Sequence, residues 1–213
     1  MKISLVYESL ATEDAIGACV IHQAQFFRQR GDDVCIYVSY LPRGAPPGIE
    51  DLIKIVTFRD LLEGRCEHFS LSDLYIYHYP GRYSLMESIR GIDRGTVIFN
   101  YHNVTPPELW GTHVGREWLM RGIEGLSLAH YADFCLADSP FNKQDLIARV
   151  GYHADRVHVL PLFVDLQRYT PGDKDPELVR RLKLQGHRVL LFVGRMAGNK
   201  RIDLLVEALA QIK

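Results

Sequence analysis

A short apolar run, a polar loop, a helix-spaced segment and a second apolar run recur along this chain, and few architectures accommodate that order. Lys2-Ile3-Ser4-Leu5-Val6-Tyr7 opens it and reads as a buried parallel strand. Residues 8–14 are polar, and residues 15–30 carry Ile16, Cys19, Val20, Gln23, Phe26 and Phe27 at helical spacing, with Gly31 placed to end the helix. Residues 34–38 form the second run. Further runs at 74–77, 97–101, 134–137 and 157–160 are separated by a short helix at 85–90, a longer one at 114–131, and one begun by Asp138-Ser139-Pro140. Either Asp138 or Ser139 can cap that last helix, with proline in its first turn. Strand–helix–strand units are right-handed and parallel, so the expected fold class is α/β, a doubly wound parallel sheet.

The pattern changes after Pro161. Residues 170–176 have a linker's composition, a short helix is expected at 177–184, and residues 188–193 repeat the apolar strand signal. Gly194 follows, and residues 202–212 form an amphipathic helix through Leu205, Val206, Leu209 and Ile212. This segment looks like the start of a second Rossmann-type domain, too small to build its own core. The expected organisation is an N-terminal domain over 1–165, a linker over 166–186, and a truncated second domain over 187–213.

Bulk properties exclude several function classes. Of the 213 residues, 47% are hydrophobic and 24% charged, as in ordinary globular proteins. A net charge of −1 gives no general affinity for nucleic acid. Cations gather late, from Arg180 onwards, where Asp203 and Glu207 are the acidic residues. Cys19, Cys35, Cys66 and Cys135 are too scattered for a zinc site or a disulfide framework, and free thiols fit a reducing compartment. No run approaches the roughly 18 apolar residues of a membrane span. A cytoplasmic protein is expected, with at most weak peripheral association at the inner face of a membrane; the oligomeric state is left open.

Ligands of open parallel sheets bind at the carboxyl ends of strands, which directs attention to three loops. In the first, Gly17 at a helix start would let a phosphate approach the free amides, or would serve close packing of helix on strand. In the second, His102 and Asn103 stand at a strand tip before Pro106-Pro107, a rigid polar ledge on which His102 could hold a hydroxyl. In the third, Arg195 and Lys200 flank a glycine turn before a helix, an arrangement suited to a diphosphate. Walker and GxGxxG spacings are absent. Tyr83, Trp110 and His113 are candidates for stacking on an acceptor sugar, against a packing role.

These loops, in this order, resemble the retaining GT-B glycosyltransferases of family 4. The match is strongest over Phe192-Val193-Gly194-Arg195-Met196-Ala197-Gly198-Asn199-Lys200, which is similar to the segment that opens the family's donor-binding domain. Val159-Leu160-Pro161-Leu162-Phe163-Val164-Asp165 resembles the family's interdomain stretch, with Leu162-Phe163 in place of its Asn-Gly. Ala137-Asp138-Ser139-Pro140-Phe141 resembles its strand-to-helix step, while the usual double glycine after the first strand is single here, at Gly17. The resemblance implies sugar transfer from a nucleotide-diphosphate sugar to a sugar or lipid-linked hydroxyl acceptor, in polysaccharide or glycolipid synthesis. It places Arg195, Lys200 and Gly17 on the donor phosphates and gives His102 a catalytic position. It implies no cofactor and no metal. The family's paired glutamates lie further into the donor domain than this chain reaches, so the chain is expected to be an inactive acceptor-side part. A GT-B sugar-nucleotide epimerase and a non-enzymatic carbohydrate- or nucleotide-binding module stay open as alternatives.

Overall fold

The computed structural model describes residues 1–11, 14–110, 114–164, 166 and 170–212. Seven parallel strands form one sheet: β1 (Lys2–Val6), β2 (Asp33–Val38), β3 (Ile53–Ile55), β4 (Leu74–Tyr79), β5 (Thr96–Tyr101), β6 (Phe134–Ala137) and β7 (Val157–Val159). Their order is β3-β2-β1-β4-β5-β6-β7. The chain therefore builds outward in one direction from β1, returns, and builds outward in the other. The point of reversal lies between β1 and β4, where connections leave to opposite faces and a crevice opens at the strand tips.

Helix α1 (Ala15–Gln29) covers one face. Asp14 caps it, accepting from the Gly17 amide at 2.9 Å, and Gly31 at φ +82° ends it in the left-handed turn expected of that residue. Its buried stripe is Gly17, Cys19, Val20, Ile21 and Ala24. Phe26, expected inside, is exposed, while Ile16 and Phe27 pack against the core beside that stripe. Against α1 lie Ile3, Leu5 and Tyr7 of the β1 region, Val34, Ile36 and Val38 of β2, and Ile76 of β4.

The opposite face is built from phenols. Period-two alternation turns Tyr75, Tyr77 and Tyr79 away from α1, and all three are buried, as are Tyr37 and Tyr101. A buried hydroxyl without a partner costs about 1–3 kcal/mol, so each must reach across to the covering layer. Tyr75 donates to the Phe69 carbonyl at 2.6 Å, in α3 (Glu67–Ser70), which follows α2 (Phe58–Leu62). Tyr77 meets Ser88 Oγ at 2.7 Å, in the 3₁₀ segment Ser84–Gly91. Tyr79 donates to the Gly122 carbonyl at 2.6 Å, in α4 (Arg116–Glu124). Tyr101 donates to Asp145 at 2.6 Å, in α5 (Pro140–Val150).

The helix expected at 114–131 is divided into α4 and a 3₁₀ segment, Gly125–Tyr131. Ser139, not Asp138, caps α5, accepting from the Asn142 amide at 3.1 Å. The cysteines are free, and burial lifts the Cys35 thiol to about 11 and that of Cys135 to about 12, which keeps both protonated.

Contacts divide the described chain into two units. The sheet and its helices make one, residues 1–107 and 113–163; residues 108–112 and 164–213 make the other. The second holds α6 (Pro176–Arg181), capped by Asp175, and α7 (Ile202–Gln211). The strand expected at 188–193 is not formed. A strand exists through its ladder, and among the described residues of this unit no second strand offers one. Leu204, Leu205, Val206 and Leu209 of α7 are correspondingly exposed.

The tyrosine layer leaves no room at its glycines. A Cβ on Gly125 would run into the Tyr79 hydroxyl, which its bond to Gly122 holds in place, and would come within 3.1 Å of Arg82 Cδ. Gly125→Ala is expected to lower unfolding free energy by about 1–3 kcal/mol in urea titrations. Gly172→Ala, with open surroundings, is the control and is expected within about 0.5 kcal/mol of wild type.

Candidate functional site

The strand tips on the α1 face carry a line of polar side chains. In register, Val6 pairs with Tyr77, His78 with Asn100, and Tyr101 with Ala137. The next residues, Tyr7, His102 and Asp138, thus join His78 along the top of β1, β4, β5 and β6. His102 Nδ1 donates to the Asp138 carboxylate, 3.0 Å from each oxygen. His102 Nε2 lies 2.9 Å from His78 Nδ1, with the two rings 4° from parallel. His78 Nε2 lies 3.1 Å from Gln23 Oε1, and the Gln23 amide nitrogen points at Cys19 Sγ, 3.7 Å away. Gln23, His78, His102 and Asp138, from α1, β4 and the tips of β5 and β6, therefore form one continuous four-member hydrogen-bonded chain that ends against Cys19.

The His102 side chain is fully buried in that chain with both ring nitrogens engaged, while Asp138, at 15% exposure, and Gln23 are partly exposed. Asn103 follows His102 beyond the tip of β5. It adopts φ +66°, and the Tyr101 hydroxyl that donates to Asp145 also accepts from the Val104 amide at 3.2 Å. The Asn100 side-chain oxygen, opposite His78, is buried with no partner among the described residues.

The expectation for Tyr83 is corrected. It is buried, and its hydroxyl lies 2.9 Å from the His78 carbonyl and 3.1 Å from that of Val6, joining the tips of β4 and β1 at the point of reversal. A ring so placed has no face for a sugar. Gly17 is required by packing: a Cβ there would stand 2.6 Å from the Ala11 carbonyl oxygen, and its amide is committed to Asp14. Trp110 is half-buried and groups with the second unit, while His113 lies outside the described residues. Asp165, from the interdomain stretch read above, also lies outside them.

In the second unit Arg195 and Lys200 are both exposed, before α7 and separated by one 3₁₀ turn, Gly198–Lys200. Arg201 is instead tied to Asp203 at 2.8 Å. Among the described residues no group of three or more His, Cys, Asp or Glu is placed to hold a metal ion, and no helix is long and apolar enough to cross a membrane.

The sequence model of Glycosyltransferase Family 4 matches residues 16–168. The chain belongs to that family. Two relatives of this family 4 chain are D-inositol 3-phosphate glycosyltransferases, from Geodermatophilus obscurus at 38% identity and Nocardia farcinica at 33%. Each comparison covers 91% of the chain and 49% of the relative, so the chain spans about half the length of these curated relatives. Among solved structures, Anabaena HepE in complex with UDP and glucose aligns with all of this chain and 58% of its own, at TM-score 0.65 and 17% identity. An alpha-glucosyltransferase solved with UDP and DNA aligns over 74% of the chain and 40% of its own, at TM-score 0.51 and 12% identity. The family 4 chain thus has the GT-B, Rossmann-like fold.

His78 and Gln23 were not singled out from the sequence, and Asp138 was read only as a cap. The signal for His78 was present: a polar residue inside an otherwise apolar strand is the informative exception. Burial and the neighbouring His102 hold the His78 ring well below its ordinary value of 6.5, so it stays neutral when folded. Around it stand Tyr7 from β1, whose phenol burial keeps protonated, Tyr83, His102 with Asp138 behind it, and, on α1, Cys19, whose thiol burial also raises. A group with a depressed folded value takes up its proton on unfolding, so its contribution is present above about pH 6.5 and is lost as pH falls. Below that point His78 should cost the protein about 1.4 kcal/mol per pH unit. Denaturant unfolding at pH 6.5 and 5.5 checks this: the unfolded ring is already half protonated at pH 6.5, so the drop should be smaller by about 1 kcal/mol in His78→Asn than in wild type.

Proposed function

We propose that the chain is the acceptor-side part of a retaining glycosyltransferase that moves a sugar from a nucleoside-diphosphate sugar to a hydroxyl acceptor, a polysaccharide or glycolipid precursor. The observation that carries this reading is the family match over residues 16–168, together with sheet tips that present a fixed polar edge. Two relatives are named for transfer to an inositol phosphate, and HepE was solved with UDP and glucose; both support a nucleotide-sugar donor and a polyol or sugar acceptor.

Breaking the bond to the anomeric carbon leaves negative charge on the departing diphosphate. Arg195 and Lys200 are assigned to that charge, the guanidinium by paired donors and the ammonium as a point charge. Arg201, already paired with Asp203, is less available for it. On the acceptor side, the Asp138 carboxylate and the Asn103 ledge meet the incoming hydroxyl, with His102 fixing the carboxylate and Tyr101 the Asn103 side chain from behind. No step in this scheme calls on a metal. The chain spans about half of the relatives' length, and turnover is expected of a protein that also carries the remainder of the donor domain.

In that complete protein, release of nucleoside diphosphate from a panel of UDP- and GDP-sugars measures the reaction. Lys200→Ala is expected to reduce turnover roughly a hundredfold, the loss seen when one preorganised donor is removed from developing charge. An unchanged rate removes Lys200 from the mechanism. Nucleotide release without sugar on any acceptor, accompanied by free sugar, replaces transfer with the epimerase class of reaction.

A further inference from the structure

The four-member chain at the sheet tips has two complete ways of arranging its protons, and they differ at Gln23. In the arrangement found, the Gln23 carbonyl oxygen faces His78 Nε2 at 3.1 Å and its nitrogen faces Cys19 Sγ. His78 must then carry its proton on Nε2. A neutral ring has only one, so Nδ1 accepts from His102 Nε2, and His102 donates from both nitrogens. If the Gln23 amide turns by half a revolution, its nitrogen donates to His78 Nε2. The His78 proton then sits on Nδ1 and is donated to His102 Nε2, which leaves His102 with a single proton directed at Asp138. Cys19 can donate its thiol hydrogen to the turned carbonyl. Every polar atom of the chain keeps a partner in both arrangements, and the two differ by the His78 tautomer, one amide rotation and one proton on His102, which is exchanged with solvent.

We propose that His78 is a positioning residue of the site: it passes the orientation of the Gln23 amide to His102, and so sets the proton arrangement behind the Asp138 carboxylate. Its place follows from the strand order. Only at the reversal between β1 and β4 does a β4 side chain stand both under α1 and beside the tip of β5. The proposal rests on the glycosyl-transfer reading for its consequence, since Asp138 is assigned there to the acceptor. The coupling itself requires no substrate.

The test is the nitrogen NMR spectrum of the imidazole rings in the full chain, labelled at histidine. Gln23→Leu lies on α1 and does not touch His102, yet it should move the His102 Nε2 resonance by the amount expected for a change of protonation, with Nδ1 still protonated toward Asp138. Gln23→Glu can only accept from His78, which imposes the first arrangement, and His102 should then show hydrogen on both nitrogens. His78→Phe should release His102 Nε2 from its partner and shift that nitrogen more than Nδ1. Backbone amide spectra confirm that each variant folds; if His78→Phe does not, the two Gln23 variants decide alone. Unchanged His102 resonances in Gln23→Leu overturn the proposal, as does a bare Nε2 in Gln23→Glu. Because no sugar is present, failure here leaves glycosyl transfer standing, and a protein without transferase activity leaves the coupling standing.

Discussion

A phenol buried in a protein must find a partner for its hydroxyl, and this sheet buries a layer of them on one face. Tyr75, Tyr77, Tyr79 and Tyr101 each bridge from a strand to a different covering element, at 2.6 or 2.7 Å. An aliphatic core would hold the same elements by area alone and would tolerate sliding. Hydroxyls restrict each helix to positions where a carbonyl, hydroxyl or carboxylate faces the ring. That requirement fixes the separation and the rotation of the layer that carries α4 and α5, and it is why glycine stands where α4 meets Tyr79.

The other face is organised differently, and the difference allocates labour. Aliphatic side chains under α1 supply the core toward the amino ends of the strands, and polar ones replace them only at the tips. The His102 ring is thereby held between a carboxylate at the surface and a neutral histidine beneath, where low polarity strengthens each bond and penalises any unpaired atom. Such a chain is rigid because the cost of breaking one link is not shared with water. Orienting a surface carboxylate from within is one way to preorganise charge at the crevice.

Much of this fold could be read from the residues. Apolar runs marked six of the seven strands, Gly31 and Ser139-Pro140 marked helix ends, and the free thiols followed from their spacing. β3 escaped because three residues, one of them Lys54, give no periodicity, although Thr57 and Asp60 behind it form a capping box. Residues 188–193 showed the opposite failure: the run is as apolar as β1, but local composition cannot supply a neighbouring strand. At the site, loop position was legible and side-chain direction was not. Tyr83 looked like an exposed stacking group because a connecting loop and a crevice floor have the same sequence signature. His78 and Gln23 are 55 residues apart, and the adjacency of β1 and β4 brings α1, with Gln23, over His78.

The turn after β5 has a consequence for how this scaffold can change. Asn103 sits in a left-handed conformation beneath the Tyr101 hydroxyl, which is itself oriented by Asp145 one helix away. The path toward Pro106 is dictated by a strand, a turn and α5 together. Grafting a relative's acceptor loop onto this chain would transplant the visible residues and leave their anchor behind. A working chimera would have to exchange Tyr101, Asn103 and Asp145 as one block, and drift at any of them alone would be opposed by the other two.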